Sequence, residues 1–184
     1  MMSPRIYRVE AIILKRKNVG EADRILTVFS KQYGKLRLIA KGIRKITSHR
    51  APHLEIFSRV EMMIHRGKTL DIVTEAQTLD GFYQLRNNLA LVNGCYYHCE
   101  LVDVLLPEKQ EHRDVYELYA RSLAAFNTQE GMDITGSCEQ FALALLRMLG
   151  FLPQTRELSS VQIQPFIESI SERHMRTYHF LKQD

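Results

Sequence analysis

The sequence predicts an α+β protein in two parts, a small five-stranded antiparallel β-barrel followed by an α-helical domain. Before residue 80 the apolar residues alternate or form short β-branched runs, and after it they recur every three or four residues, as on helices. The sign of the net charge changes close to the same position. Residues 1–70 hold 16 Lys and Arg against 5 Asp and Glu, and residues 71–184 hold 9 Lys and Arg against 16 Asp and Glu. The predicted domains are therefore a basic one of residues 1–80 and a helical one of residues 81–184.

Five short segments in the basic part have the alternation expected of half-buried strands. Turn sequences around Gly20, Gly34 and Gly67 separate several of them by only a few residues. Five strands with such close connections favour a small antiparallel barrel, although an open sheet or a small sandwich leaves similar traces. The predicted strands are Ile6–Leu14, Ile25–Phe29, Leu36–Ala40, Ile56–Ile64 and Leu70–Val73.

Four helices are predicted in the second part, from apolar residues at steps of three and four. Pro107 ends the first, and Gly150 ends the third. Ser137 and Gln140 form a possible capping box at the start of the third helix. The predicted spans are 85–106, 112–126, 137–150 and a short helix from about Pro165.

The composition narrows the class of protein. Apolar residues make up 45% of the chain and charged residues 25%, values typical of globular proteins. No apolar run approaches the roughly 20 residues needed to cross a bilayer, so no membrane association is predicted. Three cysteines at uneven spacing do not form a disulfide framework. We therefore expect a cytoplasmic protein with reduced thiols, and its basic part is expected to face a polyanion such as nucleic acid.

The most basic segment is Lys35–Lys45. On a strand Lys35, Arg37 and Lys41 share one face, with a spacing of roughly 6.6 Å for every two residues, while the apolar residues between them face the core. Arg44, Lys45 and Arg50 extend the charge into the following loop, and Lys15–Lys17 form another cluster. Lysines and arginines also protect sheet edges from aggregation, but so large an excess over carboxylates favours nucleic-acid binding.

Aromatic side chains beside these charges are candidates for stacking on bases. Tyr33 adjoins a turn, and Phe57 lies in the segment before the fourth predicted strand. Either residue is a candidate, although Phe57 fits a core position equally well. We assign Phe29 to the core.

Two apparent motifs do not have the features of functional sites. Gly67-Lys68-Thr69 is similar to the end of a phosphate-binding P-loop, but the position that needs the first glycine is Met62 and no helix follows. A hairpin turn is the better interpretation. Cys95, His98 and Cys99 lie within one helical turn, yet only Cys138 could add a further thiol ligand. Buried packing is therefore predicted for these residues, with no metal site.

The N-terminal segments resemble the start of the RecO family of bacterial recombination mediators. The resemblance lies in Tyr7–Leu14, in Gly20–Ser30 with its Glu-x-Asp-Arg, and in Gly34–Arg44 with its Ala-Lys-Gly-x-Arg. Two further segments, Leu145–Pro153 and Arg176–Leu181, are similar to the stretch before that family's zinc-binding region and to its C-terminus. The resemblance covers most of the chain and is strongest in residues 7–44.

This resemblance implies an OB-fold barrel joined to a helical domain. It also implies binding of single- and double-stranded DNA, annealing of complementary strands, and help in loading RecA onto DNA. The implied protein partners are RecR and the single-stranded-DNA-binding protein. Many members carry paired Cys-x-x-Cys motifs after the Gly-Phe-Leu-Pro stretch, whereas Pro153 is followed here by Gln154–Ser160 without cysteine. No zinc is therefore predicted. The resemblance also implies no cofactor hydrolysis, in agreement with the incomplete P-loop, so no cofactor and no catalysis are predicted.

The resulting hypothesis is a non-catalytic, nucleoid-associated DNA-binding mediator whose acidic part holds a protein partner. An adaptor whose barrel binds an acidic protein surface and an RNA-binding protein are the alternatives. Arg121 and Arg147 are candidates for the edge of an apolar partner groove. The predicted DNA-binding residues are Lys15, Arg24, Lys35, Arg37, Lys41, Arg44, Lys45 and Arg50.

Overall fold

The computed structural model describes residues 5–128 and 131–182, and all structural statements concern these residues. The chain divides into two compact units. The first comprises residues 1–81 and 107–116, and the second comprises residues 82–106 and 117–184. The segment 107–116 thus belongs with the strands, although it follows the first helix of the chain.

The first unit is a closed five-stranded barrel in the order β1-β2-β3-β5-β4. Four strand pairs are antiparallel, and the pair that joins β3 to β5 is parallel. The predicted five-stranded barrel is confirmed, with one parallel pair where only antiparallel ones were expected. Its topology is that of an OB-fold. The strands are β1 (Ile6–Val19), β2 (Asp23–Ser30), β3 (Gly34–Ala40), β4 (Arg59–His65) and β5 (Asp71–Asp80).

Alternation along the strands sets the core of the barrel, because every second side chain points inward. Val9, Ala11 and Ile13 of β1 meet Leu26 and Val28 of β2 there, and inward residues of the other strands complete the cluster. The inward residues of β3 are Leu36, Leu38 and Ala40, as the sequence predicts. The barrel thus leaves the intervening side chains of β1, β2 and β3 on its outer face.

Four α-helices follow in the described residues, as predicted, but three begin elsewhere than expected. The first begins at Leu89 instead of residue 85, because the Asn88 side chain caps it there. The third begins at Ile134 because the Asp133 side chain accepts from the backbone N–H of Gly136, so the predicted capping box at Ser137 is wrong. The fourth has its capping box at Ser159 and Gln162, and Pro165 lies inside it. The helices are α1 (Leu89–Leu105), α2 (Arg113–Thr128), α3 (Ile134–Met148) and α4 (Ser160–Ser171).

The core of the second unit forms between α1, α3 and the later turns of α2. Gly94 of α1 lets α2 and α3 approach closely: an added Cβ would lie 2.9 Å from the Phe126 ring of α2 and 3.3 Å from the Cys138 sulfur of α3. The end of α3 is fixed by Gly150, whose φ of +77° suits glycine and whose N–H bonds to the carbonyl of Arg147. None of the helices in the described ranges is long and apolar enough to span a membrane.

Candidate nucleic-acid interface

The strand register brings two of the predicted cations onto one rung of the sheet. Lys15 of β1 lies opposite Thr27 of β2, and Thr27 lies opposite Arg37 of β3. Residues directly opposite in a sheet project from the same face, so Lys15 and Arg37 both point outward, with their backbones roughly 10 Å apart. Both side chains are exposed. These two cations can therefore contact one polyanion together.

The next rung adds Lys17, a cation that is absent from the predicted set. Lys17 lies opposite Ile25, and Ile25 lies opposite Ile39, so the three side chains share the outer face with Lys15 and Arg37. Arg16, between the two lysines, points the other way and pairs with Glu55. The strand alternation that selects Lys15 also selects Lys17, and this signal could have found it in the sequence.

Lys35 also faces outward, but it is buried. The segment 107–116 covers it: the Lys109 backbone N–H donates to the Lys35 carbonyl at 2.9 Å, and Glu108 forms a β-bridge with Lys35. The Lys35 side chain is only 8% exposed. The structure therefore separates Lys35 from the exposed cations, and a solvent-facing row of Lys35, Arg37 and Lys41 is not formed.

The loop after β3 is fastened to the turn between β1 and β2. Asp23 accepts the backbone N–H of Gly42 at 2.7 Å, and the Arg44 backbone N–H donates to the Ala22 carbonyl at 2.9 Å. The Arg44 guanidinium reaches the Gly20 carbonyl at 3.3 Å and remains exposed. These contacts hold the loop cations at the end of the barrel where β1 ends and β2 begins.

Arg50 fastens the same loop from its other side. Its Nη2 donates to the Lys41 carbonyl at 2.6 Å, and its Nη1 donates to the Val73 carbonyl of β5. The Arg50 guanidinium therefore joins the end of β3 to β5 by donating to one backbone carbonyl just after β3 and to one within β5. Beside it lies a cleft of about 600 Å³ lined by Lys41, Lys45 and Arg50, among other residues.

Arg24 is half-buried and donates from Nε to the Asn18 side chain at 2.9 Å. It thereby spans the base of the hairpin between β1 and β2. Of the predicted cations, Lys15, Arg37, Lys41, Arg44 and Lys45 are exposed, whereas Arg24, Lys35 and Arg50 are at least half-buried.

The aromatic candidates separate clearly. Tyr33 is 42% exposed and lies at the turn between β2 and β3. Phe57 is only 3% exposed, so of its two alternatives the core position is the correct one and base stacking is not. Phe29 is fully buried against Tyr116, with ring centroids 5.8 Å apart, which confirms its assignment to a core.

The two apparent motifs have structural roles. Gly67-Lys68-Thr69 lies in the connection between β4 and β5. The Gly67 backbone N–H donates to Asp71 Oδ1 at 3.1 Å, as expected of a hairpin turn. The three cysteines are buried and form no disulfide among the described residues, and burial raises the pKa of Cys138 to about 12. Across the ranges that the structure describes, no group of three His, Cys, Asp or Glu side chains is placed to hold a metal ion.

The two partner-binding candidates lie in different surroundings. Arg121 is exposed beside a groove of about 430 Å³ between α2 and α3, whose apolar lining includes Leu118, Phe126 and Phe141. Arg147 does not line this groove; it pairs with Glu157 at 3.0 Å. Of the two candidates, Arg121 thus lies beside an apolar groove and Arg147 does not.

Counted by compact unit, the charge division becomes smaller but keeps its sign. The first unit holds 18 Lys and Arg against 11 Asp and Glu, a net of +7, and the second holds 7 against 10, a net of −3. The exposed cations of the predicted DNA-binding set, together with Lys17, all belong to the first unit. A polyanion is therefore attracted to the barrel more than to the helices.

Comparison with known proteins matches both parts of the chain to one family. The family model described as "Recombination protein O N terminal" matches residues 2–82, and "Recombination protein O C terminal" matches residues 86–161. The chain is 38% identical over 159 residues to the DNA repair protein RecO of Roseiflexus sp. strain RS-1, covering 86% of this chain and 55% of that protein.

Two further relatives carry the same name. The protein of Dehalococcoides mccartyi strain 195 is 34% identical over 164 residues, which cover 87% of this chain and 62% of that protein. The protein of Symbiobacterium thermophilum is 33% identical over 148 residues, which cover 80% and 58% respectively. The chain thus spans little more than half the length of these relatives. With models of both family domains matched in order along the sequence, the chain belongs to the RecO family.

Proposed function

We propose that this protein is a non-catalytic, DNA-binding mediator of DNA repair. In this proposal the barrel binds single- and double-stranded DNA through its phosphates, anneals complementary strands, and assists the loading of RecA. The observation that carries the proposal is the exposed basic surface, defined as Lys15, Lys17, Arg37, Lys41, Arg44 and Lys45. The names of the relatives support a role in DNA repair.

Phosphate contacts supply affinity without reading sequence, because every nucleotide presents the same charge. The basic surface combines a flat part on the sheet, with Lys15 and Arg37 on one rung, and a loop part with Lys41 and Lys45 beside a cleft. The half-buried Ile25 and Ile39 give the flat part an apolar component for bases. We therefore expect little sequence preference.

Binding is tested by titrating labelled single strands and duplexes at several salt concentrations. Each phosphate contact contributes about −0.7 to the slope of log affinity against log salt for single strands. Replacing Lys15, Arg37 and Lys41 together by alanine should therefore make the single-strand slope shallower by about 2 and weaken binding to both DNA forms. An unchanged slope and affinity would rule out this surface.

The matched control removes three exposed arginines from the second unit, Arg156, Arg173 and Arg176. It lowers the net charge of the protein by the same three units, but it leaves the basic surface intact. We expect this control to bind DNA with nearly the wild-type salt slope. If both triple variants lose affinity equally, net charge alone governs binding and the assigned surface is wrong.

Annealing follows from charge neutralisation. Two complementary strands repel each other through their phosphates, and a surface that neutralises both reduces this repulsion without any fuel. We expect wild-type protein to accelerate annealing of complementary oligonucleotides, and the Lys15, Arg37 and Lys41 variant to lose most of that acceleration. Adding nucleoside triphosphate should make no difference, and its hydrolysis by the purified protein would contradict a non-catalytic role.

We propose RecR and the single-stranded-DNA-binding protein as partners, with the groove between α2 and α3 receiving an apolar tail of the latter. Leu118, Phe126 and Phe141 supply apolar contacts, and the Arg121 side chain at its edge suits a carboxylate of the tail. Arg121→Ala should weaken binding of this partner and leave DNA binding intact. Arg147→Ala serves as the control, because Arg147 pairs with Glu157 and does not line the groove.

A further inference from the structure

A second cleft, of about 350 Å³, opens at the other end of the barrel. Two connections meet at this end, the turn between β2 and β3 and the connection between β4 and β5. The register places them there, because Ser30 pairs with Gly34 at the turn and His65, at the end of β4, pairs with the start of β1. The basic surface extends instead towards the end where β1 runs into β2. The second cleft therefore lies outside the surface assigned to phosphate binding.

An exposed aromatic ring forms one wall of this cleft. The Tyr33 ring packs edge to face against Tyr7, with centroids 5.3 Å apart and planes at 74°. The Ser30 hydroxyl accepts the Tyr33 backbone N–H at 2.9 Å and fixes the turn. Tyr33 is thus held in place while 42% of its surface stays open to solvent, which suits a platform for stacking.

Three cations line the cleft. The Arg66 guanidinium lies 5.2 Å from the centre of the Tyr7 ring, and Lys68 and Lys109 line the same cleft with exposed side chains. Lys109 is brought there by the 107–116 segment through its hydrogen bond to Lys35. An anion entering the cleft therefore meets positive charge contributed by two separate segments of the chain.

Among the described residues that line the cleft, Asp71 is the one carboxylate, and both of its oxygens have protein partners. Oδ2 accepts from the Tyr7 hydroxyl at 2.5 Å and Oδ1 from the Gly67 backbone N–H at 3.1 Å. Burial, with the hydrogen bond to Asp71 and its charge, raises the pKa of Tyr7 well above the usual value, so this hydroxyl remains a donor at neutral pH. The Asp71 charge is thus directed at its own partners, and the cleft keeps an excess of positive charge.

We propose that this cleft is a subsite for one unpaired base of single-stranded DNA, which stacks on Tyr33 while Lys68 and Lys109 contact the adjoining phosphates. The cleft volume is at the lower end of the range for small-ligand sites, about 300–1,000 Å³, and fits one nucleotide rather than a strand. A paired base is enclosed within the duplex, so it cannot reach the ring. The subsite therefore distinguishes single strands from duplexes. Phosphate contacts at the basic surface do not make this distinction, because both DNA forms carry phosphates.

The test compares affinities for an oligothymidylate of about 15 nucleotides, within the usual site size of one OB-fold, and for a duplex. Tyr33→Ala should weaken single-strand binding between about 5-fold and 150-fold, the range for loss of one stacked base, and leave duplex binding unchanged. Tyr33→Phe keeps the ring and should bind as wild type. Tyr83→Ala, which removes an exposed tyrosine of the second unit, should have no effect.

A complementary measurement uses wild-type protein alone, so it does not depend on the folding of a variant. An oligonucleotide of abasic sites carries the same phosphates without bases, and wild-type protein should bind it more weakly by at least the factor by which Tyr33→Ala weakens single-strand binding. Lys68→Ala should make the single-strand salt slope shallower by about 0.7. Equal affinity for abasic and normal strands, or equal losses on single strand and duplex with Tyr33→Ala, would overturn the subsite.

This inference rests on the proposed DNA-binding function, and the experiment separates the two. If wild-type protein binds neither single strand nor duplex, the proposed function fails and the subsite with it. If wild-type protein binds both, and Tyr33→Ala changes neither affinity, only the subsite is overturned.

Discussion

The second unit contains a buried histidine whose protonation should destabilise it. His98 is completely buried and stacks between Phe141 and Phe126, with centroid distances of 3.9 and 5.1 Å. Its Nδ1 lies 2.8 Å from the Ser122 hydroxyl, while Nε2 has no hydrogen-bond partner among the described residues. A protonated ring needs two acceptors and has one. We therefore assign the neutral form, with the proton on Nδ1, since a buried orphan acceptor costs less than a buried orphan donor.

The consequence for stability follows from proton linkage. Burial lowers the pKa of His98 to about 3, from 6.5 in the unfolded chain. Below pH 6.5 the unfolded state therefore binds a proton that the folded state does not, and the free energy of unfolding falls as the pH falls towards 3. Between pH 7 and pH 5 this single group should remove about 2 kcal/mol. That loss hardly depends on the folded pKa as long as it lies well below 5.

The assay is urea unfolding followed by circular dichroism at helical wavelengths, which reports on the second unit. Wild-type protein and His98→Gln are compared at pH 7 and pH 5. The variant is expected to be less stable at pH 7, but it should lose about 2 kcal/mol less than wild type between the two pH values. The other six histidines are common to both proteins, so their titration cancels.

The comparison gives a sharp refutation. If wild type and His98→Gln lose equal stability on acidification, His98 is either solvated or already paired when protonated, and its described surroundings are wrong. His98→Phe provides a second neutral variant, whose ring can stack between Phe126 and Phe141. It should show the same reduced pH dependence as His98→Gln.

Two further predictions concern contacts within each unit. Gly34→Ala should lower the melting temperature more than Gly20→Ala: both glycines have positive φ, but a Cβ at Gly34 would lie 1.7 Å from the Gln110 carbonyl oxygen, whereas one at Gly20 meets nothing within 4 Å. Equal losses would show that backbone strain alone matters. Glu100→Gln should increase proteolysis after Arg176, because the Glu100 carboxylate accepts the Arg176 backbone N–H and both the backbone N–H and the hydroxyl of Thr177 at 2.6–3.0 Å. An unchanged cleavage rate would exclude this tether.

The strands could be predicted where apolar residues alternate, and they were missed where pairing alone defines them. β1 continues beyond Leu14 to Val19 because residues 15–19, most of them polar, pair with β2 as far as Asp23. β5 similarly continues from Val73 to Asp80 along β4. Such extensions carry little apolar alternation of their own, because they are defined by pairing with a neighbouring strand more than by burial.

The helix boundaries show the opposite limitation, since a local signal was present in both cases. Ser159 and Gln162 have the capping-box spacing, but the proline at position 165 favoured a later start. Asp133 is a good N-cap residue three positions before Gly136, whose backbone N–H it binds, and it competes with the equally plausible Ser137. Local sequence offers several caps, and packing of the apolar face decides which one is used.

The sequence predicts that the interface is basic, but it predicts less well which lysines and arginines are exposed there. Alternation correctly directs Lys35 outward, yet the segment that covers it lies more than 70 residues later in the chain. Arg50 reaches two backbone carbonyls on separate elements, which suits a guanidinium better than an ammonium because its donors form a fixed planar fork. Within one basic cluster, arginine thus holds the loop while Lys41 and Lys45 remain exposed beside the cleft. Charge alone could not separate these roles, because both require a cation.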